Sequence, residues 1–521
     1  AGISDFNDDD FDEFDTVPMM VLKGIAKQQG SAQPVMKSEI KSAAGSAAYV
    51  GVGNIGGTLL KYGGNLVIQR GLGAAAFGLY TLSFSVMTLV ASIFKLGLDD
   101  AMLRYVSVYH AKRKGNALRG LTIFCTVLAG ASGILGALAM LYYAPYLAAV
   151  KHSPEIIPIL QMMAPMVPLL CLQLIWINGL QGFKEFKWRV LVQRILIPGL
   201  LIVMLLAALL LFHNLNAIVI ATVINAIMAT SLSLFFFFRK VSRVAKQRSE
   251  TYELREWFSF AAPNFLTSVI DTLLQSIDTI LLAYFAITNV ALGLYAAAIK
   301  ISAFIVMPQV SFNAMFAPTI AELYSIGERQ KLEAMFKVVT KWVITFTLPI
   351  FGIATIFSTS LLAISGQAFI PAWPLVVAFS LGNLINVATG SVGYMLLMTG
   401  HTKISFLNSL TAVVVNVVVG IILAPRYGAM GVAVATGLAV AVVNLMRLLQ
   451  VRLLLKMQPY RWDVFKPLGA GGISGTLTLG LLYLMRFAHL AIHIGHATLS
   501  LELILVPVFL ALYFGILALF K

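Results

Sequence analysis

Fourteen apolar runs, each long enough to cross about 30 Å of hydrocarbon as a helix of about 20 residues, dominate the chain. They fall near 44–68, 74–99, 118–147, 155–182, 190–212, 215–238, 257–284, 288–318, 342–364, 370–398, 404–424, 428–453, 465–487 and 499–520. Lipid offers backbone N–H and C=O groups no partner, so each run must satisfy its own backbone as a helix, and the runs are too continuous for an alternating barrel. Only 11% of the 521 residues are charged, against about 25% in a soluble globular chain, so lipid must be the solvent for most of the surface. The expected fold class is an all-α polytopic membrane protein of about 14 transmembrane helices.

A formal net charge of +15 raises nucleic acid as a partner, and the distribution of that charge excludes it. The cations sit in short clusters between apolar runs. With the N-terminus in the cytoplasm, 30 of the 37 Lys and Arg fall on the cytoplasmic side, 4 on the outer side (Arg70, Lys151, Arg426, Arg486), and 3 within spans. That asymmetry orients the chain with both termini cytoplasmic. Ala1 fits removal of an initiator Met, and nothing near it resembles a cleavable signal peptide, so the first run is expected to be a retained helix.

Residues 1–43 differ from all that follows. Seven acidic residues fall within the first fifteen (Asp5, Asp8, Asp9, Asp10, Asp12, Glu13, Asp15), and so little apolar surface predicts a disordered cytoplasmic tail. Beyond it, an internal repeat is visible. Phe77-Gly-Leu-Tyr80 recurs as Leu292-Gly-Leu-Tyr295 and Tyr109 as Tyr324, all at an offset of 215; Ala217–Thr222 recurs as Gly431–Thr436, at 214. Six helices per repeat is an even number, so the two halves share one orientation about an axis along the membrane normal. The expected organisation is a tail (1–43), a six-helix N-lobe (44–240), a basic linker (241–256), a six-helix C-lobe (257–455) and two appended helices (456–521), with the site between the lobes.

Polar groups deep in a span are costly; a charge at mid-bilayer costs about 2.5–3.5 kcal/mol. The first span carries Asn54, Thr58, Lys61 and Asn65, whose 4-3-4 spacing places them on one helical face. The seventh, its repeat mate, carries Asp271, Gln275 and Asp278 at 4-3 spacing. Lys300 stands in the eighth span, ahead of Gln309 and Asn313, and the tenth contributes Asn383, Asn386 and Tyr394. Matching stripes on the first helix of each lobe predict a hydrated central cavity. One reading makes these residues helix–helix glue, with Lys300 paired to Asp271 or Asp278. The other makes Lys61, Lys300, Asn54, Thr58, Asn65, Arg70 and Gln275 substrate-binding, with Asp271 and Asp278 coupling transport to an ion. Lys95 and Asp99, at i,i+4, read as a local ion pair.

No catalytic signature, P-loop or dinucleotide motif occurs, so no enzyme activity and no cofactor are expected; a proton or Na+ gradient is the candidate energy source. Cys125 and Cys171 lack metal-ligand spacing. His489, His493 and His496 share a helical face near the outer surface without a carboxylate or cysteine, and read as interfacial residues, not a metal site.

Gly71–Tyr80 continuing to Lys95–Tyr105, Gly179-Leu-Gln-Gly-Phe-Lys-Glu-Phe-Lys187, Met398–Lys403 and Pro425–Thr436 together resemble the polysaccharide biosynthesis flippases (O-antigen-flippase-like) of the multidrug/oligosaccharidyl-lipid/polysaccharide exporter superfamily. The resemblance covers about 44–455. It implies a V-shaped pair of six-helix lobes working by alternating access in the cell (cytoplasmic) membrane. The implied cargo is a polyprenyl-diphosphate-linked oligosaccharide moved from the cytoplasmic to the outer leaflet, with membrane lipid and polysaccharide polymerase or assembly proteins as partners. Three alternatives stand beside it: a cation-coupled multidrug exporter of the same superfamily, a lipid-precursor flippase for cell-wall synthesis, and a non-transporting scaffold for polysaccharide assembly.

Overall fold

The computed structural model describes residues 34–183, 191–244, 250–285, 287–487 and 501–520. It forms two units, Ala1–Val52 and Gly53–Lys521. In the smaller, helix begins at Pro34, ten residues before the predicted start; the acidic block lies outside the described residues. The larger unit carries everything that follows.

Among the described residues twelve helices are long and apolar enough to cross a membrane, and there is no strand. About fourteen spans were expected. Two of the twelve, Gly56–Phe94 and Thr402–Leu455, have 39 and 54 residues, far beyond the roughly 20 that one crossing needs. Each is broken at a glycine. Gly73 (φ 77°) divides Pro34–Phe94 into α1 (34–72) and α2 (74–94), and Gly428 (φ 56°) divides the other into α14 (402–427) and α15 (429–455). Both backbones occupy the positive-φ region where a side chain is strained, which is why glycine stands there. The second break reverses the chain: Asn408 and Gln450 exchange two hydrogen bonds, at 2.7 and 3.0 Å, where a straight helix would hold them about 60 Å apart.

The remaining elements, in chain order, are α3 (Leu98–Ala111), α4 (Gly115–Lys151), α5 (Ile156–Gly182), α6 (Leu191–Phe212), α7 (Leu215–Val244), α8 (Leu254–Tyr284), α9 (Asn289–Ser325), α10 (Arg329–Ile356), α11 (Ser358–Ser365), α12 (Gln367–Ala388), α13 (Val392–Met398), α16 (Trp462–Leu484) and α17 (Glu502–Leu519). The repeat has a structural counterpart. Tyr80 meets Thr222 at 3.3 Å between α2 and α7, and their mates Tyr295 and Thr436 meet between α9 and α15.

Burial explains the packing. The main apolar core takes Phe77, Trp176 and Phe237 from the first repeat and Trp257, Tyr295 and Phe379 from the second, so the halves share one interior. The two C-terminal helices pack on α10: the Tyr513 hydroxyl donates to Thr345 O at 2.8 Å, and the Phe509 ring fills the space beside Gly352.

The halves meet at both ends of the bundle. At the end bearing the basic clusters, Tyr109 on α3 donates to Glu253 at 2.5 Å and accepts from Trp257 Nε1 at 2.9 Å. Lys114 and Arg119 reach Glu253 and Glu250 at 3.6 and 3.3 Å, and Tyr105 donates to Glu256 O at 3.0 Å. Burial and the adjoining Glu253 carboxylate push the Tyr109 phenol up, so it stays protonated and donating. At the far end, α2 lies against α9.

Candidate functional site

Lys61 on α1 and Lys300 on α9 stand mid-helix and keep exposed surface, and the charge of Lys300 acts on Lys61. The Tyr62 and Phe304 rings, 5.2 Å apart, tie α1 to α9 beside them. A third cation joins them. Arg194 lies in a π-helical stretch, Leu191–Leu196, at the start of α6, and its charge and that of Lys300 both act on Lys61. Gly57, one turn before Lys61, makes room for it: a methyl group there would lie 2.9 Å from Arg194 O and 3.1 Å from its Cβ. Among the described residues no acid acts on Lys61.

Thr58 and Asn65 are half-buried on α1 beside Lys61, and Gln275 is exposed on α8. The Asn65 amide donates to Lys61 O at 2.9 Å, leaving its carbonyl oxygen to accept. The Asn54 side chain lies outside the described residues, as do Lys184, Lys187, Arg189, His489, His493 and His496. Arg70 is not brought to these cations: its Nε donates to Ile364 O at 2.6 Å, at the far end.

The two aspartates part company, and neither meets Lys300. Asp271 is exposed, and its charge neighbours are Arg447 on α15 and Lys95 just past the end of α2. Lys95 itself bonds Asp99 at 2.8 Å, the expected i,i+4 pair, with Asn178 3.5 Å from the same carboxylate oxygen. Asp278 is buried between α8, α14 and α15. Asn416 Nδ2 lies 2.9 Å from its Oδ1 and 3.3 Å from Thr436 Oγ1, while the Tyr295 hydroxyl points at Asp278 and Thr436. Asn416 Oδ1 and the Tyr295 hydroxyl make no well-formed hydrogen bond among the described residues. One carboxylate among hard neutral oxygens suits a proton or a monovalent hard cation. Among the described residues no three His, Cys, Asp or Glu are grouped to hold a transition metal.

The remaining polar groups serve as glue. Asn383 donates to Ser302 O at 3.0 Å, Asn386 to Gln309 Oε1 at 3.2 Å, and Gln309 to Gly390 O at 3.0 Å; Ser391 meets Asn313 at 2.5 Å. These bonds bind α9 to α12 and to the segment after it.

Sequence reasoning missed Arg194, Arg447 and Asn416. The arginines were counted with the loop clusters. Asn416 stood alone in Val-Val-Val-Asn-Val-Val-Val, a costly placement that marks it.

A helical bundle built from a repeat, with twelve helices among the described residues long and apolar enough to cross a membrane, is a multi-pass membrane protein. Residues 44–324, more than half of the chain, match the model of the polysaccharide biosynthesis protein family, and the chain belongs to that family. No curated protein sequence matches it. Among solved structures, it is similar to the lipid II flippase MurJ in its inward closed conformation, with a TM-score of 0.71 at 15% identity, covering 91% of this chain and 98% of that one. An inward-facing multidrug resistance MATE family transporter of the MOP superfamily gives 0.63 at 17%, covering 77% and 94%. A MOP superfamily transporter from Pyrococcus furiosus gives 0.59 at 15%, covering 79% and 95%. At such identities the likeness establishes the fold.

Proposed function

We propose that the chain flips a polyprenyl-diphosphate-linked oligosaccharide from the cytoplasmic to the outer leaflet by alternating access, with both termini cytoplasmic. The observation that carries this reading is the trio Lys61, Arg194 and Lys300: the charges of the other two act on Lys61, and among the described residues no acid acts on it. Mutually repelling cations beside apolar helices are costly, and a diphosphate offsets that cost by charge-assisted hydrogen bonds. Thr58, Asn65 and Gln275 supply hydroxyl and amide partners for sugar, and the polyprenyl tail stays in lipid. Asp278 is the coupling group: its carboxylate takes up a proton or Na+ in one state of the cycle and releases it in the other.

A drug exporter carrying cations would want uncompensated acid on the cargo's path. Here Asp271 is already offset by Arg447, and Asp278 is buried. Binding of a fluorescent polyprenyl-diphosphate glycan to the protein in nanodiscs tests the reading. Wild type should bind it more tightly than the monophosphate lipid, and Lys61→Ala or Arg194→Ala should erase most of that preference. Equal affinity for both lipids, or variants as selective as wild type, would overturn it.

A further inference from the structure

The far end of the bundle is closed where the two repeats meet at the motif that relates them. Gly78 and Gly293 are repeat mates, at the offset of 215, and they pack against each other across the seam between α2 and α9. A methyl group on Gly78 would lie 2.7 Å from the backbone nitrogen of Gly293 and closer still to Asn289 O. One on Gly293 would lie 2.7 Å from the carbonyl carbon of Ala74 and closer still to its oxygen. The obstacles are backbone, so no rotamer change can make way. Side chains reinforce the seam on both flanks. Buried Lys151, at the end of α4, donates to Ile287 O just past the end of α8, Asn289 Nδ2 bonds Ser153 Oγ at 3.3 Å, and Arg70 bonds Ile364 O. Phe77 meets Phe369 edge-on at 6.2 Å.

We infer that this glycine seam is the outer gate of the transport cycle: it closes only while both positions lack a side chain, and the Lys151 and Arg70 bonds latch it. The contacts at the opposite end involve α3, α4 and the start of α8, next to the segment that joins the halves, and act as the hinge. This rests on the alternating-access reading above and adds the element that sets which side is open. Among the described residues both cations hold carbonyl oxygens and no carboxylate, a latch that breaks without leaving a buried ion pair to separate. The same opening frees Lys151 to water.

Double electron–electron resonance tests it. Spin labels go on His213 and Tyr427, exposed repeat mates on the far face, and on Arg243 and Arg452, exposed at the basic end; Cys125 and Cys171 are buried and escape labelling. Gly78→Ala and Gly293→Ala should each lengthen the His213–Tyr427 distance distribution and shorten the other, while Gly199→Ala, whose methyl meets open space, should match wild type. Lys151→Met, which adds no clash, should shift both in the same direction by a smaller amount. Folded glycine variants whose distributions superimpose on wild type would overturn the gate; should the glycine variants not fold, an unshifted Lys151→Met together with Arg70→Gln overturns it instead. If the glycine variants shift but wild type moves no lipid-linked oligosaccharide, the cargo reading falls and the gate stands.

Discussion

Lys61, Arg194 and Lys300 differ in how visible they are in the sequence, and the difference is physical. Lys61 and Lys300 interrupt apolar runs, where a charge is expensive enough to mark itself. Arg194 lies close to the basic 4–5 connection, and only the π-helical turn of Leu191–Leu196 and the bare face of Gly57 carry it inward to the other two. Losing one charge-assisted contact of about 1.5–3 kcal/mol should weaken binding of a diphosphate lipid roughly 10- to 100-fold for Arg194→Ala, measured by titration in nanodiscs. Gly57→Leu should do the same without removing a charge, because its side chain occupies the ground of Arg194. Asp278→Asn keeps the hydrogen bond to Asn416 while removing the ionisable group. Transport by that variant should lose its dependence on an imposed proton or Na+ gradient, with binding of the lipid unchanged. A retained gradient dependence places coupling elsewhere. The neutral oxygens around Asp278 were partly legible: Thr436 stood in the repeat motif, and Asn416 stood alone among valines.

At the scale of elements, the helices and the places where they part were readable, with gaps expected at 69–73 and 425–427 beside the breaks at Gly73 and Gly428; the backbone state that makes those breaks was not. Gly73 and Gly428 each reverse or break a helix by taking a positive φ, and hydropathy does not register that backbone state. Gly428→Ala should cost about 1–3 kcal/mol from its sparsely populated positive-φ backbone alone, read as a lower melting temperature in detergent. The Tyr109–Glu253–Trp257 cluster was equally invisible, since its members lie about 145 residues apart and meet only because α3 and α8 converge. Tyr109→Phe should cost about 1–3 kcal/mol, as it strands the Glu253 and Trp257 groups that its hydroxyl serves. The loss should appear first as faster proteolysis of the segment between α7 and α8, with the core unchanged.

For the whole molecule, the offset of about 215 was the most productive reading, because a repeat relates distant parts that no local pattern connects. It pairs Tyr80–Thr222 with Tyr295–Thr436 and sets Gly78 against Gly293. It also exposes an asymmetry: Gly63 and Ile202, in contact in the first half, stand where the offsets put Asp278 and Asn416 in the second. The carboxylate is therefore confined to one half, so a single group can set the energetic cost of the cycle while both halves move. The central claim is transport of a lipid-linked anion, and its most direct measurement is flipping of a fluorescent polyprenyl-diphosphate oligosaccharide in proteoliposomes, comparing wild type with Lys61→Ala and Lys300→Ala. Wild type should move the lipid and the folded lysine variants should lose most of that rate. A wild type that ignores this lipid while exporting cationic dyes in an Asp271- or Asp278-dependent way would contradict it.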